Sequence, residues 1–129
     1  MAYYFNTTLE NADFDSAIEK VTAALKEQGF GIISEIDIQA TMKKKLDVEV
    51  RPYRILGACN PQFAYQALQV EDKIGTMLPC NVIVQEDENG RIEVAAVDPE
   101  QSMQAIQNEE LEKIAGEVQD RLRKVIASL

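Results

Sequence analysis

Apolar positions along the chain recur with two different periods. Phe14, Ile18, Val21 and Leu25 fall at helical spacing, with Ala17 and Ala24 beside them, and this predicts an amphipathic helix. Asp13 is suited to cap its start and Gly29 to end it. A second long stripe runs from about Glu109 to Ser128 through Leu111, Ile114, Val118, Leu122 and Val125, with Leu129 just beyond. Between and before these helices lie runs rich in β-branched and aromatic residues: Ala2–Thr8, Phe30–Ile36, Tyr53–Cys59, Met77–Gln85 and Arg91–Val97. They predict five strands. Pro79 cannot donate to a ladder, so it belongs near the start of its strand, at an edge or at a bulge. Asn89-Gly90 is a hairpin signal joining the last two strands.

Shorter helices fill the gaps. Asp37 precedes one with Ile38, Met42 and Leu46 on one face and Lys43, Lys44 and Lys45 at its C-terminal end, where lysines complement the helix dipole. Asn60-Pro61 opens another, with Pro61 at the first helical position and Phe63, Ala64, Ala67 and Leu68 as its apolar face. Asp98-Pro99 begins a turn or short helix reaching Met103, and Lys73-Ile74-Gly75-Thr76 reads as a turn into the following strand. The order β-α-β-α-β-α-β-β-α-α predicts an α+β fold in a single domain over residues 1–129, with a sheet at least partly antiparallel. The two long helices can cover one sheet face. The other is left to solvent, the short helices, a ligand or a second subunit.

Composition narrows the chemistry. The chain of 129 residues carries 13 Lys and Arg against 22 Asp and Glu, a formal charge of −9. That opposes non-specific duplex binding, which needs a cationic face. It has no His, so the commonest zinc ligand, general base and Ser-His triads are all missing. No recognisable catalytic set is left, and the reading leans away from an enzyme. The N-terminus has no basic, apolar leader and no run is long enough to span a membrane, which points to the cytoplasm. Cys59 and Cys80 do not make the dense framework of a small secreted domain and read as free thiols.

Three groups carry candidate chemistry. Cys59-Asn60-Pro61 puts a thiol just before a helix N-terminus, where free N–H groups favour an anion or a thiolate. A buried cysteine beside a plain Asn cap explains the same residues. Cys80, with Asn81, lies at another strand end. Neighbouring strands would bring the two thiols together, but two thiolates do not complete a metal site. Equally, Cys80 fits an alternation with Val82 and Val84 on a buried face. Third, Lys43, Lys44, Lys45, Arg51 and Arg54 are a basic stretch in an acidic chain. They suit an anion site or, more plainly, a solvated surface.

Taken together, Tyr53-Arg-Ile-Leu-Gly-Ala-Cys-Asn-Pro61 with Ala64 and Leu68, Ile74-Gly75, Leu78-Pro79-Cys80-Asn81-Val82 and Asp98-Pro99 resemble the family called domain of unknown function 302. The resemblance covers nearly the whole chain. It implies a single copy of the TATA-binding-protein-like fold: a curved, mostly antiparallel sheet packed against two long helices. It also implies a homodimer. It brings no activity and no cofactor.

The expectation is therefore a small cytosolic, homodimeric ligand-binding module. Its candidate site gathers Cys59, Asn60, Pro61, Cys80 and Asn81, with Arg51 and Arg54, and its ligand is a small molecule rather than nucleic acid or membrane. Two alternatives stand beside it: an interaction or scaffold dimer, and a thiol redox or metal site built on Cys59 and Cys80.

Overall fold

Capping side chains fix most of the helix starts. In the computed structural model, which describes residues 2–129, Asp13 Oδ1 accepts from Ser16 N at 2.8 Å and opens α1 (Phe14–Glu27). Asp37 does the same for α2 (Ile38–Leu46), Asn60 for α3 (Pro61–Val70), Asp98 for α4 (Pro99–Ser102) and Asn108 for α5 (Glu109–Ala127). Gly29 follows α1 at φ +85° and Gly90 turns the last hairpin at φ +78°. Both are left-handed conformations open to glycine at little cost.

The strands are β1 (Tyr4–Leu9), β2 (Gly31–Asp37), β3 (Tyr53–Cys59), β4 (Cys80–Glu86) and β5 (Ile92–Val97). They form one sheet in the order β1-β5-β4-β3-β2, with every neighbouring pair antiparallel. The α+β reading holds, and the antiparallel character extends to the whole sheet. Period-two alternation sorts the side chains. Cys80, Val82 and Val84 of β4, Ile92, Val94 and Ala96 of β5, and Leu56 and Ala58 of β3 are buried under α1 and α5. The helices contribute Ala17, Val21 and Leu25 from one side and Val118, Leu122, Val125 and Ile126 from the other. A second, smaller core joins Ala67 of α3, Ile74, Met103, and Leu111 and Ala115 of α5.

Three expectations move. The fourth strand starts at Cys80 rather than Met77, because Asp72–Met77 coil into a 3-10 helix that buries Ile74. That segment is therefore not a simple turn. The first two strands slide one or two residues toward the C-terminus, Tyr4 pairing with Val97 and Asp37 with Arg54. Helix α2 buries none of its residues; Leu46 at its end is 66 % exposed, so its apolar stripe does not reach the core.

Among the described residues, the opposite sheet face is the one without helix residues of the main core cluster. Across its middle the register aligns Asn6, Ala95, Ile83, Ile55 and Ile36. A more polar row beside it runs Thr8, Glu93, Gln85 and Tyr53. There the Glu93 carboxylate accepts from Asn6 Nδ2 at 2.8 Å and Gln85 Nε2 at 3.1 Å. No helix is long and apolar enough to cross a membrane, among the described residues.

Candidate functional site

The end of β3 and the start of β4 meet the two cores in an apolar cavity of about 310 Å³. Strand β3 runs through Ala58 and Cys59 straight into Asn60, the cap of α3, while Ala58 pairs with Cys80 at the start of β4. Cys59, Asn60 and Cys80 all line the cavity. Its walls come from Phe63, Ala64 and Leu68 of α3, Leu78 and Pro79 before β4, and Leu111, Ile114 and Val118 of α5. None of the lining residues is charged. Its size falls at the lower end of the range for small-molecule sites.

The polar groups sit at one end. Asn60 Oδ1 accepts from Phe63 N at 3.4 Å, and Asn60 Nδ2 reaches Gln28 O at 3.5 Å. Arg121 Nη1 donates to the same carbonyl at 3.0 Å, with its guanidinium 5.2 Å from the centre of the Phe63 ring. Thus the end of α1, the start of α3 and the middle of α5 are tied together beside the cavity. Cys59 is half-buried and Cys80 is buried; both are free thiols. Burial, and secondarily the neighbouring Cys59, push the Cys80 thiol up to about 11. It therefore stays protonated at neutral pH, the opposite of what a thiolate nucleophile or ligand requires. Among the described residues, no group of three or more Cys, Asp or Glu gathers to hold a metal.

The other sequence candidates lie elsewhere. Asn81 follows Cys80 in an extended strand, so it points to the opposite, open face beside Tyr4 and Val97. Pro61 is exposed at the first position of α3 and does not line the cavity. Arg54 is at the far end of β3 from Cys59, five residues or about 17 Å away at strand rise. It lies 3.6 Å from Glu35 and 3.6 Å from Asp37, with its guanidinium 5.4 Å from the Phe14 ring centre. Arg51 Nε donates to Glu86 O at 3.1 Å, and Lys43 pairs with Asp47 and Glu49 at 2.8 and 3.0 Å. Much of the basic stretch is thus engaged with nearby acceptors, well away from the cavity.

Ile33 belongs to the site and was not singled out from the sequence. A register irregularity between Ile32 and Ser34 leaves Ile33 65 % exposed and lining the cavity. Bulges re-aim side chains in this way. The sequence hint is slight: Ile32-Ile33 breaks strict alternation.

Comparison with known proteins agrees with this architecture. The "Crystal structure of uncharacterized conserved protein DUF302 from Bacillus stearothermophilus" matches with a TM-score of 0.90 and 24 % sequence identity, covering 98 % of each chain. At that identity the likeness concerns the fold. No curated protein matches the chain. The family model described as "Domain of unknown function DUF302" matches residues 5–129, and so the chain belongs to the family of domain of unknown function 302.

Proposed function

We propose that the protein is a homodimeric binding module that takes an uncharged, apolar small molecule into the cavity between α3, α5 and the ends of β3 and β4. The observation that carries this reading is the lining: eighteen residues without a charge, with the Asn60 amide and two thiols as the main polar side-chain groups. A carboxylate or phosphate would lose its hydration there and meet no charged lining residue, since Arg121 stays outside the lining and donates to Gln28 O. An apolar molecule is released from water at about 25 cal/mol per Å² of surface buried.

The neutral fluorophore N-phenyl-1-naphthylamine tests this. We expect saturable, one-to-one fluorescence enhancement that Ala64→Trp, which fills the cavity from α3, abolishes while the fold persists by circular dichroism. Non-saturable enhancement, or enhancement indifferent to that substitution, removes the reading.

The homodimer is supported by the uncovered sheet face. Its central row is aliphatic from Ala95 to Ile36, and Ile36 is 46 % exposed. Five strands about 4.8 Å apart and six residues long present a footprint of about 500 Å². Exposed Tyr3 and Tyr4 beside Ile83 and Ala95, and Val50 beside Tyr53 and Gln85, extend it toward the roughly 800 Å² per partner of a stable interface. Sedimentation equilibrium at micromolar concentration is expected to give twice the chain mass, and Ile83→Glu the chain mass. A monomeric parent protein refutes the assembly and leaves the cavity reading untouched.

A further inference from the structure

We propose that Cys59 is a covalent capture point for medium-chain α,β-unsaturated aldehydes that enter this cavity. The proposal rests on the cavity being a ligand site. It adds the class of ligand and the atom that takes it.

Three features of the cavity converge on that chemistry. Its walls are uncharged and its volume of about 310 Å³ holds about a dozen non-hydrogen atoms at interior packing density. The ligand is thus a neutral molecule with a hydrocarbon body. The cavity also holds two thiols rather than one. Cys80 is 7 % exposed and lines the same cavity as Cys59, with no hydrogen bond to its thiol among the described residues. Cys80 belongs to the main core with Val82 and Val84, and the half-buried Cys59 is the accessible nucleophile of the two. Finally, the amide of Asn60 adjoins Cys59. One of its N–H bonds is spent on Gln28 O at the long distance of 3.5 Å; the other is available to an acceptor. A hydrocarbon tail, one carbonyl oxygen and an electrophilic carbon conjugated to it complement these groups together.

The step balances without an oxidant or reductant. Cys59 releases its proton to solvent and Sγ bonds to the β-carbon of the enal. The carbon–carbon π bond breaks, and its electron pair moves through the α-carbon to the carbonyl oxygen, giving an enolate. Asn60 Nδ2 donates a hydrogen bond to that oxygen. Solvent returns a proton to the α-carbon, leaving a saturated aldehyde joined to Cys59 as a thioether. Cys80, held protonated by burial, does not compete for the electrophile.

The experiment treats the reduced protein with trans-2-nonenal, with acrolein, which has the same reactive group but no tail, and with saturated nonanal, followed by intact mass and peptide mapping. We expect one 2-nonenal per chain, on Cys59, forming at least about tenfold faster than on glutathione, as effective concentration in a fitted site implies. Acrolein is expected to show no such advantage, Cys80→Ala to keep the adduct and Cys59→Ser to lose it. Modification spread over lysines, a Cys59 rate no greater than that of glutathione, or an equal advantage for acrolein overturns the proposal. Mapping on the unaltered chain decides the matter even if a variant fails to fold. Nonanal separates the two claims. If it displaces N-phenyl-1-naphthylamine while 2-nonenal leaves Cys59 intact, the cavity reading survives and covalent capture falls. If neither aldehyde displaces the probe, both fall.

Discussion

Gly57 lies in the middle of β3 with its missing side chain directed at the open face. A Cβ built there would meet Ser34 Oγ and lie 2.7 Å from Pro79 Cγ. The two obstacles differ. Ser34 is exposed on edge strand β2 and its hydroxyl can rotate into solvent. The Pro79 ring is rigid and forms part of the cavity wall, so it must move by several tenths of an ångström or more. Overpacking of this kind costs about 1–3 kcal/mol. Replacing glycine also restricts the unfolded chain, which returns about 0.4–1 kcal/mol. Gly57→Ala is therefore expected to destabilise by about 1–2 kcal/mol net. For a domain of this size that lowers Tm by about 3–8 °C. Urea unfolding followed by circular dichroism measures it, with an unchanged m-value as the control for two-state behaviour. In a Ser34→Ala background the cost should persist to within about 0.5 kcal/mol. Full rescue by Ser34→Ala refutes the assignment to Pro79, and a Gly57→Ala protein as stable as the parent refutes the close packing itself. Because Pro79 also lines the cavity, the same substitution is expected to weaken N-phenyl-1-naphthylamine binding.

Further outcomes follow from other contacts. Cys80 is raised from 9.0 to about 11, so above pH 9 the unfolded chain loses a proton that the folded one keeps. Stability should fall between about pH 9 and 11 by on the order of 2–3 kcal/mol, and Cys80→Ala should remove that slope in urea titrations; an unchanged slope contradicts the burial of this thiol. Iodoacetamide at neutral pH should label half-buried Cys59 well before Cys80, as peptide mapping over time reads; simultaneous labelling counts against the difference in access. Asn108 caps α5 at Glu110 N and Leu111 N, 3.1 Å each, and donates to Val70 O at 2.8 Å. Asn108→Ala should cost about 2 kcal/mol and Asn108→Asp, which keeps the cap, less; equal losses refute the division. Leu122 is fully buried in the main core, so Leu122→Ala should cost about 2–5 kcal/mol by denaturant melt, and a loss under 1 kcal/mol contradicts that packing.

Local signals in the sequence were reliable where one segment decides its own conformation. The helix from Asp13 to Gly29 is written in its cap, its apolar spacing and its terminal glycine, and α1 follows that plan. Likewise Asn89-Gly90 fixes the β4–β5 hairpin, and Cys80 does alternate with Val82 and Val84 toward the core. Features that depend on distant partners were not legible. The pairing of β1 with β5, which sets the sheet order, has no local signature. Nor has the cavity, since α3, α5 and two strand ends supply its walls from separate stretches of chain. Strand period sends Asn81 away from Cys80 and strand rise puts Arg54 far from Cys59, so nearness in the sequence does not bring these residues to one site.

The strand order has a consequence for how the molecule assembles. Strands β2, β3 and β4 each pair with the next in sequence, whereas β1 must return across about 80 residues to meet β5. Closing a loop of that length costs about 2–3 kcal/mol more than closing the short β4–β5 turn. The four-stranded meander can therefore organise from near-neighbour contacts, with β1 arriving last as a clasp that joins the N-terminal strand to β5. By the same account β1 is the strand whose amides exchange with solvent first. Because Tyr4 opens β1 and Val97 closes β5 directly opposite it, undocking this clasp bares the edge of β5 while leaving the β3–β4 end of the sheet, where Cys59 and Cys80 sit, in place.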